Sequence, residues 1–169
     1  MLMAYFGGKF PFSYKDFSLE NLSKDYRAKL IGTGNLSKQP LNFPMIRKGL
    51  VYSGPFYFYD VGDDAESVVQ REIETVIGSD VCYFLIDKDG AQPGTVTEII
   101  NATLHKKIVK IFYVQKDLDV GEPERDISSP LWYPIIFANK MNKENTFVKA
   151  FPTLEEAENA LVADVYKED

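Results

Sequence analysis

Residues 81–114 read VCYFLIDKDGAQPGTVTEIINATLHKKIVKIFYV, and this stretch decides the fold. Its two ends, Val81–Ile86 and Ile108–Val114, are apolar runs typical of strands that are buried on both faces of a parallel sheet. Between them, Pro93-Gly94 opens a segment that predicts a helix over about Thr95–His105. A strand, a helix and a second strand of these lengths indicate a right-handed crossover between parallel strands.

The same alternation of strand and helix continues on both sides of this unit. Three further strands are predicted, at Met3–Phe6, Leu50–Ser53 and Thr146–Phe151. Further helices are predicted at Leu19–Leu30, Asp64–Gly78, Pro130–Met141 and Thr153–Tyr166. The chain therefore predicts one α/β domain over residues 1–169, with a doubly wound five-stranded parallel sheet, a flavodoxin-like strand order of 2-1-3-4-5 and helices on both faces.

The composition is that of an ordinary globular protein, and it narrows the possible chemistry. The net charge of −6 argues against binding to a nucleic-acid polymer, which needs basic surfaces. Cys82 is the only cysteine and His105 the only histidine, which excludes a Cys/His zinc site, and neither a metal nor a cofactor is predicted. We see no secretory leader and no apolar run of membrane-spanning length, so we expect a cytoplasmic protein with no membrane partner.

Three of the predicted strands lead into glycine turns. The turns are Gly7-Gly8, followed by Lys9, then Ser53-Gly54-Pro55-Phe56, and then Asp89-Gly90 together with Pro93-Gly94-Thr95. In the predicted order these strands are neighbours, and ligands of open parallel sheets bind at the carboxyl edge. Glycine lets the backbone approach a ligand closely, although ordinary turns would explain each glycine singly.

Polar and aromatic residues are predicted at the same edge. Strand ends and the loops beyond them hold Tyr5, Asp60, Asp87, Asp89, Gln92 and Glu98, and Phe56–Tyr59 adds aromatic surface. Rings can stack a nucleobase, while carboxylates accept hydrogen bonds from sugar hydroxyls. The candidate substrate-binding residues for a nucleoside or nucleotide are therefore Gly7, Gly8, Lys9, Ser53, Gly54, Pro55, Phe56, Asp60, Gly94 and Thr95. Core packing or an additional strand is the alternative for the aromatic run.

Glu98 has two possible roles. Thr95 and Glu98 have the spacing of a capping box, so Glu98 is expected in the first turn of its helix. There the helix dipole and the free N–H groups would keep the carboxylate ionised, which suits a nucleophile better than a general acid. A helix cap with no chemical function is the alternative.

From Tyr52 to Val114 the chain resembles the nucleoside 2-deoxyribosyltransferase family. The matching residues are Tyr52-Ser53-Gly54-Pro55-Phe56, Glu72-Ile73-Glu74, Ser79-Asp80-Val81, Pro93-Gly94-Thr95, Glu98-Ile99 and Lys106-Lys107-Ile108, and Asp25-Tyr26-Arg27 resembles a Trp-Arg pair of some members. The resemblance implies that Glu98 attacks the anomeric carbon and that water or a second base then takes the sugar. It also implies that Tyr5 lies beside Glu98, that Glu72 touches the sugar, and that the protein is a homo-oligomer.

The sequence departs from the family pattern next to the expected nucleophile. Gln92 stands where transferases usually have an Asp that protonates the departing base, and Asp89 is the candidate replacement on the same loop. Glu72 is one methylene longer than the usual Asp. These changes leave open a transferase, a nucleoside or nucleotide hydrolase, and a catalytically weak nucleotide-binding or sensing module. Lys9 is the candidate partner of a 5′-phosphate.

Overall fold

A computed structural model of the chain describes residues 1–12, 14–38, 41–57, 65–87, 93–114 and 132–167. Its centre is a six-stranded sheet with the order β2-β3-β1-β4-β5-β6. The strands are β1 (Leu2–Gly7), β2 (Met45–Arg47), β3 (Leu50–Gly54), β4 (Val81–Ile86), β5 (Ile108–Val114) and β6 (Thr146–Phe151). Neighbouring strands are parallel except β2, which runs antiparallel to β3.

The structure confirms the doubly wound fold and corrects the predicted number of strands. The five parallel strands follow the predicted order 2-1-3-4-5 along the chain, and the three-residue β2 adds an antiparallel edge. Lys48 and Gly49 form the turn between β2 and β3, and Gly49 has a φ of 86°, which glycine adopts without steric cost. So short a strand, following a stretch of sequence rich in Gly, Asn, Ser and Pro, carries no periodicity by which it could be predicted.

Seven α-helices accompany the sheet in the described residues. They are α1 (Leu19–Leu22), α2 (Ala28–Ile31), α3 (Thr33–Leu36), α4 (Ala65–Gly78), α5 (Pro93–Leu104), α6 (Trp132–Met141) and α7 (Leu154–Tyr166), and short 3₁₀ turns lie at Tyr14–Asp16 and Lys143–Asn145. Within these ranges we find no helix with the length and apolarity needed to span a membrane.

The predicted helix Leu19–Leu30 is wrong, because the chain forms two separate turns, α1 and α2, in its place. The carboxylate of Asp25 accepts a hydrogen bond from the backbone N–H of Arg27 at 2.8 Å. Such a local side-chain bond competes with the helical pattern and turns the chain. The predicted helix at Thr153–Tyr166 is confirmed as α7. Thr153 is its N-cap, and its hydroxyl accepts a hydrogen bond from the Glu156 N–H at 3.2 Å.

Side chains of the central strands alternate between two cores, one on each face of the sheet. Phe6 lies in the core on the side of α7 and the short helices, where it stacks between Tyr52 and Tyr83 at ring distances of 5.2 and 5.0 Å. Tyr5 and Cys82 lie in the opposite core, against α4, α5 and α6. The end of β1 therefore directs Tyr5 toward α4 and α5, and Cys82 is the buried strand thiol that its apolar neighbours predict.

Candidate active site

Two adjoining cavities lie beside the carboxyl end of β1, where the strand order reverses and ligands bind in this class of fold. The first, the glutamate cavity, has a volume of about 280 Å³ and is lined by Tyr5, Gly7, Gly8, Lys9, Phe10, Pro55, Glu72, Pro93, Gly94, Thr95 and Glu98. The second, the aromatic cavity, has a volume of about 310 Å³ and is lined by Tyr5, Phe10, Phe43, Ser53, Gly54, Pro55, Phe56, Tyr57, Val68, Arg71, Glu72 and Thr75. Their common wall consists of Tyr5, Phe10, Pro55 and Glu72.

The predicted site residues that the structure describes all line one of these cavities. Tyr5, Glu72 and Glu98 meet at the glutamate cavity together with the predicted binding residues Gly7, Gly8, Lys9, Pro55, Gly94 and Thr95. Ser53, Gly54 and Phe56 line the aromatic cavity. Asp60, Asp89 and Gln92 lie outside the described residues. The structure thus brings together residues from four separate parts of the chain.

Glu98 lies buried on α5, with 7% of its surface exposed, and packs against the backbone of β1. A Cβ atom added to Gly7 would lie 2.9 Å from Glu98 Oε2 and 2.5 Å from a ring carbon of Phe84. Position 7 therefore has room only for glycine while Glu98 and Phe84 keep their places. The Tyr5 hydroxyl and Glu98 Oε2 each lack a hydrogen-bond partner of good geometry among the described residues. A buried carboxyl oxygen with no partner is the kind of group that a ligand completes.

The position of Glu98 contradicts the predicted capping role and the predicted ionisation. Helix α5 begins at Pro93, so Glu98 is its sixth residue, and no acidic residue lies in the first turn. The pKa of Glu98 is raised from 4.5 to about 8, mainly by burial and also by the nearby Glu72 carboxylate, while a hydrogen bond from the Tyr5 hydroxyl and the Arg27 charge oppose the rise. In the ligand-free protein at neutral pH, most Glu98 side chains are therefore protonated.

Because of this raised pKa, we expect the variant Glu98→Gln to be more stable than the wild type at alkaline pH. Glu98 binds its proton more tightly in the folded than in the unfolded state, so its contribution to stability is complete below about pH 4.5 and is lost as the pH rises through about 8. Glutamine does not ionise, so the stability of Glu98→Gln does not fall in this way as the pH rises. At pH 9 the Tm of Glu98→Gln should be higher than that of the wild type, corresponding to a difference on the order of a few kcal/mol in the free energy of unfolding. At pH 4 the two Tm values should be similar. Equal differences at both pH values would contradict the raised pKa.

Tyr5 and Glu72 complete the polar part of the glutamate cavity. Burial raises the pKa of Tyr5 well above 10, and the Glu98 and Glu72 carboxylates add to the effect, so this phenol is a permanent hydrogen-bond donor. Glu72 comes from α4 and is half-buried, and burial also raises its pKa, although Arg27 and Arg71 lower it. A ligand in this cavity would thus meet two carboxyl groups and a neutral phenol.

Tyr26 and Arg27 hold the carboxyl end of β1 and the bend at Gly8, a segment called the turn 6–8 below, and the sequence prediction missed this role. Arg27 is 0% exposed and donates to the carbonyl oxygens of Phe6 at 2.9 Å and Gly8 at 3.1 Å. The Tyr26 hydroxyl donates to the carbonyl of Gly7 at 2.8 Å. In the sequence, only the short resemblance at Asp25-Tyr26-Arg27 pointed to these residues, and it did not predict their hydrogen bonds to the carbonyls of residues 6–8.

Aromatic rings form one side of the aromatic cavity. The Arg27 guanidinium lies 3.8 Å from the centre of the Phe10 ring, and the Phe10 and Tyr57 rings meet edge to face with their centres 4.8 Å apart. The predicted binding role of Ser53 is less direct, because its hydroxyl lies 2.7 Å from the Ser79 hydroxyl, which donates to the Thr75 carbonyl. This bond ties β3 to the end of α4. The cavity is therefore a mainly apolar slot with Arg71 and Glu72 as its charged residues.

A third cavity of about 270 Å³ adjoins the glutamate cavity through Lys9 and Phe10. Its other lining residues are Pro11, Lys24, Asp25, Tyr26, Leu85, Asp87, Leu154 and Glu158. Two of its carboxylates are already paired, Asp25 with Arg27 and Glu158 with Lys29. Across the described ranges, no three His, Cys, Asp or Glu side chains stand together as a metal-binding group.

Comparisons with known proteins identify the fold but not a sequence family. No protein-family profile and no curated protein matches the chain. Among solved structures, the chain is similar to the CMP N-glycosidase BcmB of Clostridium botulinum, with a TM-score of 0.55 over 98% of this chain and 99% of that one. The two sequences are 13% identical, so the similarity establishes a common fold and no more.

Proposed function

We propose that this protein is an enzyme that cleaves the N-glycosidic bond of a nucleoside or nucleotide, with Glu98 as the nucleophile. The observation that carries the proposal is the buried carboxyl of Glu98, which lines a cavity next to the aromatic cavity and whose Oε2 has no hydrogen-bond partner of good geometry among the described residues. The similar fold of a CMP N-glycosidase supports the same kind of bond, and the resemblance to 2-deoxyribosyltransferases supports the same nucleophile.

The two cavities suggest how such a substrate would lie. The sugar belongs in the glutamate cavity, because the anomeric carbon must come within about 3–3.5 Å of Glu98 for attack. The base belongs in the aromatic cavity, where Phe10, Phe56 and Tyr57 line an apolar space that suits a planar ring. The bond to be broken would then cross the common wall, beside Tyr5 and Glu72. Lys9 remains the proposed partner of a 5′-phosphate.

The proposed reaction has two displacement steps. Ionised Glu98 attacks the anomeric carbon, the bond from that carbon to the base nitrogen breaks, and its electron pair leaves with the base. The base takes a proton, for which Asp89, between β4 and α5 in the sequence, is the proposed donor. Water or a second base then attacks the anomeric carbon and gives its proton to the proposed acid of the first step, while the bond from that carbon to the Glu98 oxygen breaks and restores the carboxylate. The Tyr5 hydroxyl would donate a hydrogen bond to Glu98 as the ester breaks and negative charge returns.

The raised pKa of Glu98 predicts the pH dependence of the reaction. Only the ionised carboxylate attacks, so kcat/KM should rise about tenfold per pH unit below about 8 and become level above it. Initial rates of base release between pH 6 and 9.5 measure this profile. A rate that falls through pH 8 would instead show that the proton on Glu98 is required, and would contradict its role as a nucleophile.

A panel of substrates tests the proposed activity. The protein is incubated with deoxynucleosides, nucleosides and their 5′-monophosphates, and free base is measured by chromatography. The proposal predicts base release from at least one of these classes. A second free base added to the mixture separates a transferase, which forms a new nucleoside, from a hydrolase, which forms free sugar. No base release from any compound by the folded protein would contradict the proposal.

A nucleotide-binding or sensing module is the second candidate function. It is favoured by the protonated state of Glu98, since a neutral carboxyl donates a hydrogen bond to a ligand but does not attack it. In that case nucleotides would raise the Tm, by more the more tightly they bind and the higher their concentration, while chromatography shows no product.

A further inference from the structure

Three consecutive backbone carbonyls at the carboxyl end of β1, those of Phe6, Gly7 and the following Gly8, each accept a hydrogen bond from a neighbouring side chain. Arg27 donates to Phe6 and Gly8, and Tyr26 donates to Gly7, with distances between 2.8 and 3.1 Å. All of these donors come from the short segment that joins α1 and α2. Hydrogen bonds from Tyr26 and Arg27 therefore hold segment 6–8 through its carbonyl groups, and Glu98 packs against the same segment at Gly7.

We propose that Tyr26 and Arg27 are positioning residues for the reaction, which hold the turn 6–8 where its backbone fixes Glu98 and the sugar. This inference rests on the proposed function for its catalytic part, and on the contacts of the ligand-free protein for its structural part. Neither side chain is assigned a contact with the reacting atoms. Both act through the turn.

The contacts of Arg27 go beyond what a buried ion pair needs. Its Nε and Nη2 donate to the two carboxylate oxygens of Asp25 at 2.8 and 2.9 Å, which already satisfies the charge. The remaining nitrogen, Nη1, reaches the carbonyls of the turn. The same guanidinium covers one face of Phe10, whose ring lines all three cavities. Arg27 thus links the turn, the aromatic cavity and Asp25 in one rigid unit.

The turn has little freedom to move without disturbing the site. A Cβ atom on Gly8, which has a φ of 127°, would lie 2.4 Å from the carbonyl oxygen of Leu85. Gly8 is thus held against β4, and Gly7 against Glu98 and Phe84. If the bonds from Tyr26 or Arg27 were lost, the turn could move only away from these contacts. Water would then reach Glu98, whose burial is the main cause of its raised pKa.

Two conservative variants test this inference. Tyr26→Phe keeps the ring and removes only the donor to Gly7, and Arg27→Lys keeps the charge and removes the planar fork. Lys29→Met is the matched control, because Lys29 is a neighbouring, half-exposed cation on α2 whose ion pair is with Glu158. For each protein we would measure kcat and KM for base release, the Tm, and the titration of Glu98 by carbon NMR in the ligand-free state. Of the groups that influence this titration, Tyr5 and Glu72 are unchanged in all variants, and Arg27, whose charge lowers the pKa of Glu98, is unchanged in Tyr26→Phe.

We expect both variants to lose about tenfold or more in kcat with KM changed by about twofold or less, because small displacements of reacting groups are costly. The pKa of Glu98 should fall by about one unit, while Lys29→Met leaves both values unchanged. A lower Tm with an unchanged kcat and an unchanged Glu98 titration would overturn the proposal, since it would show a purely structural role. If the wild type releases no base, the proposed function fails, but the Glu98 titration still shows whether Tyr26 and Arg27 position Glu98 through the turn. The two failures can therefore be distinguished.

Discussion

Replacement of Glu98 by alanine is expected to lower kcat for base release by about 10³-fold or more, the largest effect of any single substitution in this protein. The variant lacks the atom that would form the bond to the anomeric carbon. It also leaves a space beside Tyr5 and Gly7 in which a small anion could bind. Formate or azide should therefore restore part of the activity of Glu98→Ala, and azide should yield a glycosyl azide as product.

The matched control for this experiment is Glu74→Ala. Glu74 lies on α4, is exposed, and accepts a hydrogen bond from Gln70 within the same helix. Its removal should leave kcat within about twofold of the wild type, because exposed helical pairs contribute little. Full activity in Glu98→Ala would contradict the assignment. Reduced activity that no small anion restores would instead favour a role of Glu98 in binding.

The second large effect is expected for Gly7→Ala. The added methyl group would overlap Phe84, which is 0% exposed in the core, and would press on Glu98 Oε2. Overpacking of this kind costs about 1–3 kcal/mol in the free energy of unfolding. Because the group displaced is the proposed nucleophile, we also expect kcat to fall by about 10²-fold. Chemical denaturation and base-release rates measure the two effects separately.

Gly34→Ala is the control for Gly7→Ala. Gly34 lies in α3, away from the cavities, and an added Cβ would meet no atom within 4 Å. There the substitution should stabilise the protein by about 0.4–1 kcal/mol, because alanine restricts the unfolded chain. If Gly7→Ala behaves like Gly34→Ala in both stability and activity, the close packing of Glu98 on the β1 turn is wrong.

The sequence predicted the framework of the site well, for a local reason. Strands such as Val81–Ile86 can be recognised from their continuous apolar residues, and the turns that follow strands can be recognised from their glycine content. Once the strand order was inferred, Tyr5, Gly7 and Glu98 could be placed on the same edge. The predicted homo-oligomer and the cytoplasmic location stay predictions.

The ionisation of Glu98 could not be predicted from its neighbours in sequence. It depends on burial against β1 and on Glu72, which is 26 positions away in the chain and belongs to another helix. The start of α5 at Pro93 also moved Glu98 out of the first turn, which removed the effect of the helix dipole. The hydrogen bonds from Arg27 to the end of β1 could not be predicted for the same reason, because their acceptors are backbone carbonyls about 20 positions away in the chain.

The most direct test of the account is to trap the sugar on Glu98. The protein is mixed with a substrate that it cleaves, quenched in acid during turnover, digested and examined by mass spectrometry. We predict that the peptide containing Glu98 gains the mass of the sugar residue, and that Glu98→Gln shows no such gain. Base release at full rate with no adduct in the wild type, or with an adduct on a different residue, would contradict nucleophilic attack by Glu98.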